Sequence, residues 1–460
     1  MACELRGANG DVLHEVVQEG WARLRARLAE AERGLPRHVV AEVEAYLRCG
    51  DPAYGFAWLV CEPCGEHRLV PFSCKKRGFC PACAGRRMAE TAASWVEKVF
   101  PRVRSRQWVV TVPFRRRVLL ARNVDLERGV HRVAMGCIER WYAREANGGQ
   151  TGSVTVTQRF GSALQLNLHF HSLHPDGTFV RDHQGVLRFR EVRAHPADVQ
   201  ALVVEIAERC EAWLARAGHG ADDQVVDPDD DGLGLFQQAA AAGYSVVRGK
   251  PTRVARRVQV IAGKERALPP LCASCDGYNL HAGVVVEAED REGLERLGRY
   301  LLRPPLAQTR LEVQADGSVS FQMKRAYADG SQTLAFSAEE LVARLVAIVP
   351  PAEANQIVYR GVLAGNAALR KEVVALARPK ARVPDLRGEG MAALSKKPRG
   401  LHARATWADI LWSVFSVDGG RCTECGGRMA LRHGMGGGPA TSEVLESLQR
   451  AGGRAARAPP

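Results

Sequence analysis

The sequence predicts an α+β fold in which an antiparallel sheet with flanking helices follows a small zinc-binding module and precedes a small basic one. Three observations carry this prediction. Long segments place apolar residues at the helical period, short β-branched runs between them include a hairpin signal, and cysteines fall in Cys-x2-Cys pairs. With 460 residues and 46% hydrophobic side chains, the chain can bury two or three cores.

The elements follow in chain order. Val16, Trp21, Leu24 and Leu28 lie at helical spacing, so Leu13 to Leu47 should form two helices broken near Pro36. These fill an N-terminal unit, residues 1–48, and the cysteine-rich zinc-binding module occupies 49–90. A large central region, 91–377, follows, with Gln107 to Phe114 a β-branched strand closed by Pro113. Val130, Ala134, Cys137, Ile138 and Trp141 then mark a helix ending before Gly148 and Gly149. Ser153 to Phe160 and Leu164 to Leu173 read as a hairpin around Gly161 and Ser162. Val199 to Leu214 is a helix with Cys210 on its core face, and Asp222 to Asp231 reads as a solvated acidic loop. Tyr278 to Glu287 is a strand, and Asp290 to Leu302 is a helix stopped by Pro304 and Pro305. Residues 378–404 hold eight lysines and arginines against two acidic residues, with three prolines, which reads as a basic linker. The last unit, 405–460, begins near Trp407, carries Cys422 and Cys425, and ends in a basic tail.

Charge and hydropathy narrow the partners. Lysine and arginine exceed aspartate and glutamate by 64 to 51, a net charge of +13, so the surface should attract polyanions. Nucleic acid is the expected partner. No apolar run reaches the roughly 20 residues of a membrane span, and Met1 to Arg6 lack a signal-peptide pattern, so the expected location is the cytoplasm, with no membrane partner.

Five of the 13 cysteines lie between Cys61 and Cys83. Cys61-x2-Cys64 and Cys80-x2-Cys83 stand 15 residues apart, the spacing of a four-thiolate zinc site. A site whose four positions are all protein ligands is structural. Cys49, His67 and Cys74 are further donors, so one ion or two would fit. Lys75, Lys76 and Arg77 surround the block and suit DNA phosphates. Cys422-x2-Cys425 looks like half of another knuckle, with His433 the later donor, whereas Cys272-x2-Cys275 reads as packing.

His169-Phe170-His171 lies in a strand pattern, and a period of two turns both imidazoles to one face. Such a pair can hold a divalent ion that polarises a phosphate oxygen. One His-x-His among 13 histidines is also compatible with chance. Tyr300 stands on the helix before Pro304, among Arg296, Arg299 and Arg303. Phenols ionise near pH 10, so nucleophilic attack needs a cation or proton acceptor nearby, and those arginines supply charge. Tyr300 equally fits a role in packing its helix on the sheet.

Several segments together resemble the rolling-circle insertion-sequence transposases with an HUH nuclease, in particular their single-tyrosine, common-region branch with an N-terminal transposase zinc-binding domain. They are Phe72 to Cys83, Thr157 to Ser162 ahead of Asn167 to His171, Asp276 to Ala282, the Arg299-Tyr300 helix with its Arg-Pro-Pro, and the C-terminal Cys-x2-Cys. The resemblance implies a bacterial transposase that nicks and rejoins single-stranded DNA. It implies a catalytic Mg2+ or Mn2+ on His169 and His171, a covalent link from Tyr300 to a 5′-phosphate, and Gln158 or His281 as a third ligand. The charge of Arg296, Arg299 and Arg303 around Tyr300 is expected to bind DNA phosphate. Paired-tyrosine members carry a second tyrosine four residues earlier; here that position is Arg296. The rival readings are a plasmid replication initiator or relaxase, and a non-catalytic zinc DNA-binding protein derived from a transposase.

Overall fold

The computed structural model describes residues 12–220, 232–242, 244–245, 252–253, 270–323, 332–376, 421–422 and 424–450. The acidic stretch Asp222 to Asp231, Tyr327, the basic linker 378–404, Trp407 and the basic tail lie outside the described residues.

Helices α1 (Val12–Glu30) and α2 (Arg37–Leu47) fall on either side of Pro36, as the periodicity predicts. A hairpin of β1 (Gly55–Cys61) and β2 (His67–Pro71) precedes α3 (Pro81–Lys98). The central region contributes β3 (Ser105–Thr111), α4 (Phe114–Arg122), α5 (Val124–Glu145), β4 (Gly152–Phe160) and β5 (Leu166–Pro175). The hairpin β6 (Gly177–Arg181) and β7 (Leu187–Glu191) leads to α6 (Pro196–Arg216), α7 (Gly232–Ala242) and the short strands β8 (Tyr244–Ser245) and β9 (Thr252–Arg253). Next come β10 (Cys272–Cys275), β11 (Tyr278–Val286) and α8 (Arg291–Leu302). A small sheet of β12 (Leu311–Val313), β13 (Val319–Gln322) and β14 (Thr333–Phe336) precedes α9 (Ala338–Ala347), β15 (Ile357–Gly361) and α10 (Arg370–Ala375). The last elements are β16 (Met429–Gly436) and α11 (Pro439–Arg450). Among the described residues, no helix is long and apolar enough to cross a membrane.

Six strands form the central sheet in the order β10-β11-β3-β5-β4-β15, with antiparallel neighbours throughout. Side chains alternate between its two faces. Trp108, Val110, Leu168, Phe170 and Leu280 enter a core closed by α5 and α6, where Cys137 and Cys210 are fully buried. Val154, Val156, Leu173 and Val286 line the opposite face, covered by α3 and α8. Leu294, Leu297 and Leu301 of α8 follow the helical period and are buried there, each contributing about 1.5–3 kcal/mol. Gly298 lets α8 settle on α3: a Cβ at that position would stand 3.1 Å from Ala92 Cβ and 3.3 Å from Trp95.

A third core joins α1, α2, α7 and α9 to the β12–β14 sheet and to Cys49, Cys80 and Cys83. The zinc module is therefore continuous with the N-terminal helices, and α3 runs without a break across residue 90. The C-terminal strand β16, expected in a unit of its own, pairs with β1 and completes a three-stranded sheet β16-β1-β2.

Candidate functional site

His169 and His171 share one face of β5, as the period of two requires, and their rings lie 4.7 Å apart between centroids. Burial pushes the His169 imidazole down to about 4, and burial together with the charges of His169, Arg303 and His281 pushes His171 well below the usual range. Both are neutral at pH 7, the form that binds metal. His169 Nδ1 donates to the Asn167 carbonyl at 2.9 Å, which leaves the lone pair on Nε2. His171 Nδ1 lies 2.7 Å from the side-chain amide of Gln107, while its Nε2 is buried without a partner. With the amide oxygen of Gln107 turned toward Nδ1–H, that Nε2 also carries a lone pair.

Gln158 is directly opposite His169 in the register, on the same face. Its Nε2 donates to the Leu301 carbonyl at 2.6 Å, and its Oε1 is buried without a partner. One side chain thus ties the sheet to the last turn of α8 and leaves an oxygen beside the histidines. Val109 separates His281 from His171 by one strand, with all three on this face. The donor set is two imidazole nitrogens with an amide oxygen, and a third imidazole nearby.

Tyr300 lies over this face. Its ring meets the His171 ring edge-on, 6.0 Å between centroids and 89° between planes, and the Arg303 guanidinium stacks 4.4 Å from the Tyr300 centroid. At 45% exposure Tyr300 is accessible, unlike the leucines on the other side of its helix. Of the alternative tyrosines, Tyr278 is fully buried and donates to Glu211 at 2.9 Å, and Tyr359, 37% exposed, has its hydroxyl engaged as acceptor from Trp95 Nε1 at 2.9 Å. A cavity of about 70 Å³ beside the site is lined by Arg77, Arg87, Gln158, Arg303 and Gln356. Arg77 and Arg303 thus reach one place from two modules. Arg296 and Arg299 are exposed on α8, Arg299 pairing with Glu295 at 2.6 Å and Arg296 standing 3.8 Å from Asp290. Lys75 is exposed and Lys76 half-buried on the neighbouring loop, whose carbonyls accept from Arg87.

The cysteines require a correction. Cys61 and Cys64 do not meet Cys80 and Cys83, because they sit at the turn of the β1–β2 hairpin, away from α3. Cys80 and Cys83 instead join Cys49 and Cys74, with all four sulfurs within 4.8 Å of one another. The Cys49 sulfur is 3.7 Å from both Cys80 and Cys83, and Cys74 is 3.4 Å from Cys83. Hydrogen bonding from Cys49, Cys74 and Cys80 lowers the Cys83 thiol below its usual range. Cys80 caps α3 and Cys83 is in its first turn, so this cluster fixes the start of the helix on which the Tyr300 helix rests. His67 is not among these donors; its Nδ1 accepts from Trp58 Nε1 at 3.0 Å. Cys272 lies 3.8 Å from Asn279, and Cys275 packs against the α5–α6 core.

Sequence reasoning missed Cys49 and Cys74 as partners of Cys80 and Cys83, although it held them as donors. It also missed Gln107, for which no motif exists, since only strand pairing brings it to His171.

Residues 152–371 match a family model described as "Putative transposase", and residues 16–112 match one described as "Transposase zinc-binding domain". No curated protein and no solved structure matches the chain. These two domains support a transposase function, and with it DNA binding; the zinc-binding domain and the cysteine clusters support structural zinc.

Proposed function

We propose that the chain, carrying its transposase domain over 152–371, nicks and rejoins single-stranded DNA in rolling-circle-type transposition, with Tyr300 as the nucleophile and His169 and His171 as ligands of a catalytic Mg2+ or Mn2+. The observation that carries this reading is Tyr300 against the edge of His171, half-exposed, on a face where His171 Nε2 and Gln158 Oε1 have no partner.

Two neutral imidazoles and an amide oxygen fit a divalent ion, and the nitrogen-rich set favours Mn2+ over Mg2+, which prefers oxygen ligands. Such an ion would polarise a phosphate oxygen and offset negative charge on the non-bridging phosphate oxygens. The protein's own groups do the rest. Arg303 stabilises the Tyr300 phenolate from the ring face, and Gln158 anchors the turn that carries Tyr300. Arg77 and Arg303 hold phosphate at the cavity mouth, with Arg296 and Arg299 on the outer surface of α8. The phenolate oxygen bonds to phosphorus while the bond from phosphorus to the DNA 3′-oxygen breaks. The departing 3′-oxygen takes up a proton equivalent to the one the phenol gave up. A 5′-phosphotyrosine remains, and a later 3′-OH reverses the step elsewhere without ATP. Because Arg296 stands one helical turn before Tyr300, a single tyrosine serves this helix, and a second cleavage waits for its release or comes from another subunit.

Incubation of the protein with a labelled single-stranded oligonucleotide and Mn2+ should give a metal-dependent covalent adduct on a denaturing gel. Absence of any adduct or nicking, with DNA binding intact, would contradict the reading.

A further inference from the structure

The chain's second set of thiols is built from its two ends. The sulfurs of Cys61, Cys64, Cys422 and Cys425 all lie within 4.8 Å of one another, with Cys61 3.5 Å from Cys425 and Cys64 3.6 Å from Cys422. Disulfides need about 2.05 Å between sulfurs, whereas four thiolates around zinc at about 2.3 Å stand about 3.8 Å apart. The observed separations belong to the second arrangement, and all four cysteines are free thiols.

The backbone supports this independently. Around the first pair, Cys61 N–H donates to Glu66 O at 2.8 Å and Gly65 N–H donates to Cys61 O at 2.9 Å. Around the second, Cys422 N–H donates to Gly427 O at 2.8 Å and Gly426 N–H donates to Cys422 O at 2.9 Å. Gly65 and Gly426 take the same left-handed conformation, φ +73° and +71°. Two segments more than 350 residues apart thus form one and the same turn, each aiming two sulfurs at a shared point. Gly427 N–H also points at the Cys425 sulfur, 3.4 Å away, as expected beside a thiolate.

We propose that these four cysteines form a second zinc site, which clasps the C-terminal strand β16 onto the N-terminal module. Soft thiolates in a tetrahedral set select zinc over magnesium or calcium. Among the described residues, β16 is held by its backbone pairing with β1, by the Trp58–His433 ring contact, and by two small apolar clusters: Phe56 and Leu69 with Trp58, Met435, Val444 and Leu445, and Met429 beside Cys61 and Cys422. A metal that closes so long a loop replaces the missing core and removes most of the chain-entropy cost of docking. Cys64 and Cys425 are exposed, whereas Cys49, Cys80 and Cys83 of the first cluster are buried. The clasp is therefore the more labile of the two sites.

The test uses the full chain and does not depend on DNA cleavage. Wild type should bind two zinc ions, and a chelator titration should release them in two phases. The first phase should coincide with loss of amide-exchange protection over 429–436, with α1 and α2 still protected. Cys425→Ser should hold one zinc, keep the buried site and lose the same protection. A wild type with one zinc, a single release phase, or loss of the first zinc without change in β16 protection would overturn the proposal, whether or not the variant folds.

Discussion

His171 and His174 sit three residues apart on one strand, yet on opposite faces of the central sheet, and comparing them separates a core from a site. Both are buried, both have one nitrogen bonded and the other without a partner, and burial lowers both, His174 to about 3. His174 accepts or donates through Nε2 to Ser172 at 2.8 Å and stacks on Tyr142 at 5.7 Å, whose hydroxyl is locked to Asp176. Its neighbours Ser172, Tyr142 and Asp176 are all fully buried. His171 instead meets a half-exposed tyrosine stacked by an arginine, beside a basic cavity. An unpaired buried nitrogen is thus not enough; access and an adjacent exposed tyrosine make the difference.

The comparison can be broken by substitution on each face. His169→Ala with His171→Ala should lower the cleavage rate about a thousandfold, because several kcal/mol of charge stabilisation go with the metal at about 1.4 kcal/mol per tenfold, while DNA affinity changes little. Single-turnover cleavage and a binding titration, run in parallel, check this, and equal losses in both would erase the distinction between the faces.

His174→Ala should do the reverse, destabilising the fold by about 2–3 kcal/mol through a lost hydrogen bond and a cavity, with cleavage by the folded fraction nearly unchanged. Acid sharpens the same point. His131 and His174 are held down at about 3 by burial, below the roughly 6.5 of an unfolded histidine. Between those values the unfolded chain binds more protons than the native one, so stability should fall as pH drops from about 6.5 toward 3. Denaturant melts across that range should show it, and the slope should be shallower in His174→Ala.

The smallest effect is expected from Arg303→Ala. Loss of the cation stacked on Tyr300 removes about 1 kcal/mol, a fall in cleavage of roughly fivefold, and Arg303→Lys should recover part of it. A rate independent of the residue at 303 would remove that arginine from the account.

Much of this arrangement was legible in the sequence. The break at Pro36, the hairpin around Gly161, the amphipathic helix before Pro304 and the shared face of His169 and His171 all follow from local periods. The thiol sets were not. Cys61-x2-Cys64 and Cys80-x2-Cys83 have the spacing of one site, but the seven-residue strand β1, about 20 Å long, carries the first pair away from the second. Cys49 and Cys74 stand at the other end of that hairpin, where Gly50 N–H bonds to Phe72 O, and take the vacant places beside Cys80 and Cys83. Ligand spacing reports local turns, whereas partner choice depends on strand length and on a segment from the far end of the chain. Gln107 was hidden for a similar reason, since strand pairing alone brings it to His171, whereas Gln158, already a candidate third ligand, is set opposite His169 by the register.

The central claim is that Tyr300, on the open face of the sheet, is the nucleophile. Peptide mapping of the covalent DNA adduct tests it most directly. The account predicts attachment at Tyr300 alone and no adduct in Tyr300→Phe, with that variant still folded and bound to DNA. Attachment at another residue, or an adduct that survives Tyr300→Phe, would contradict it.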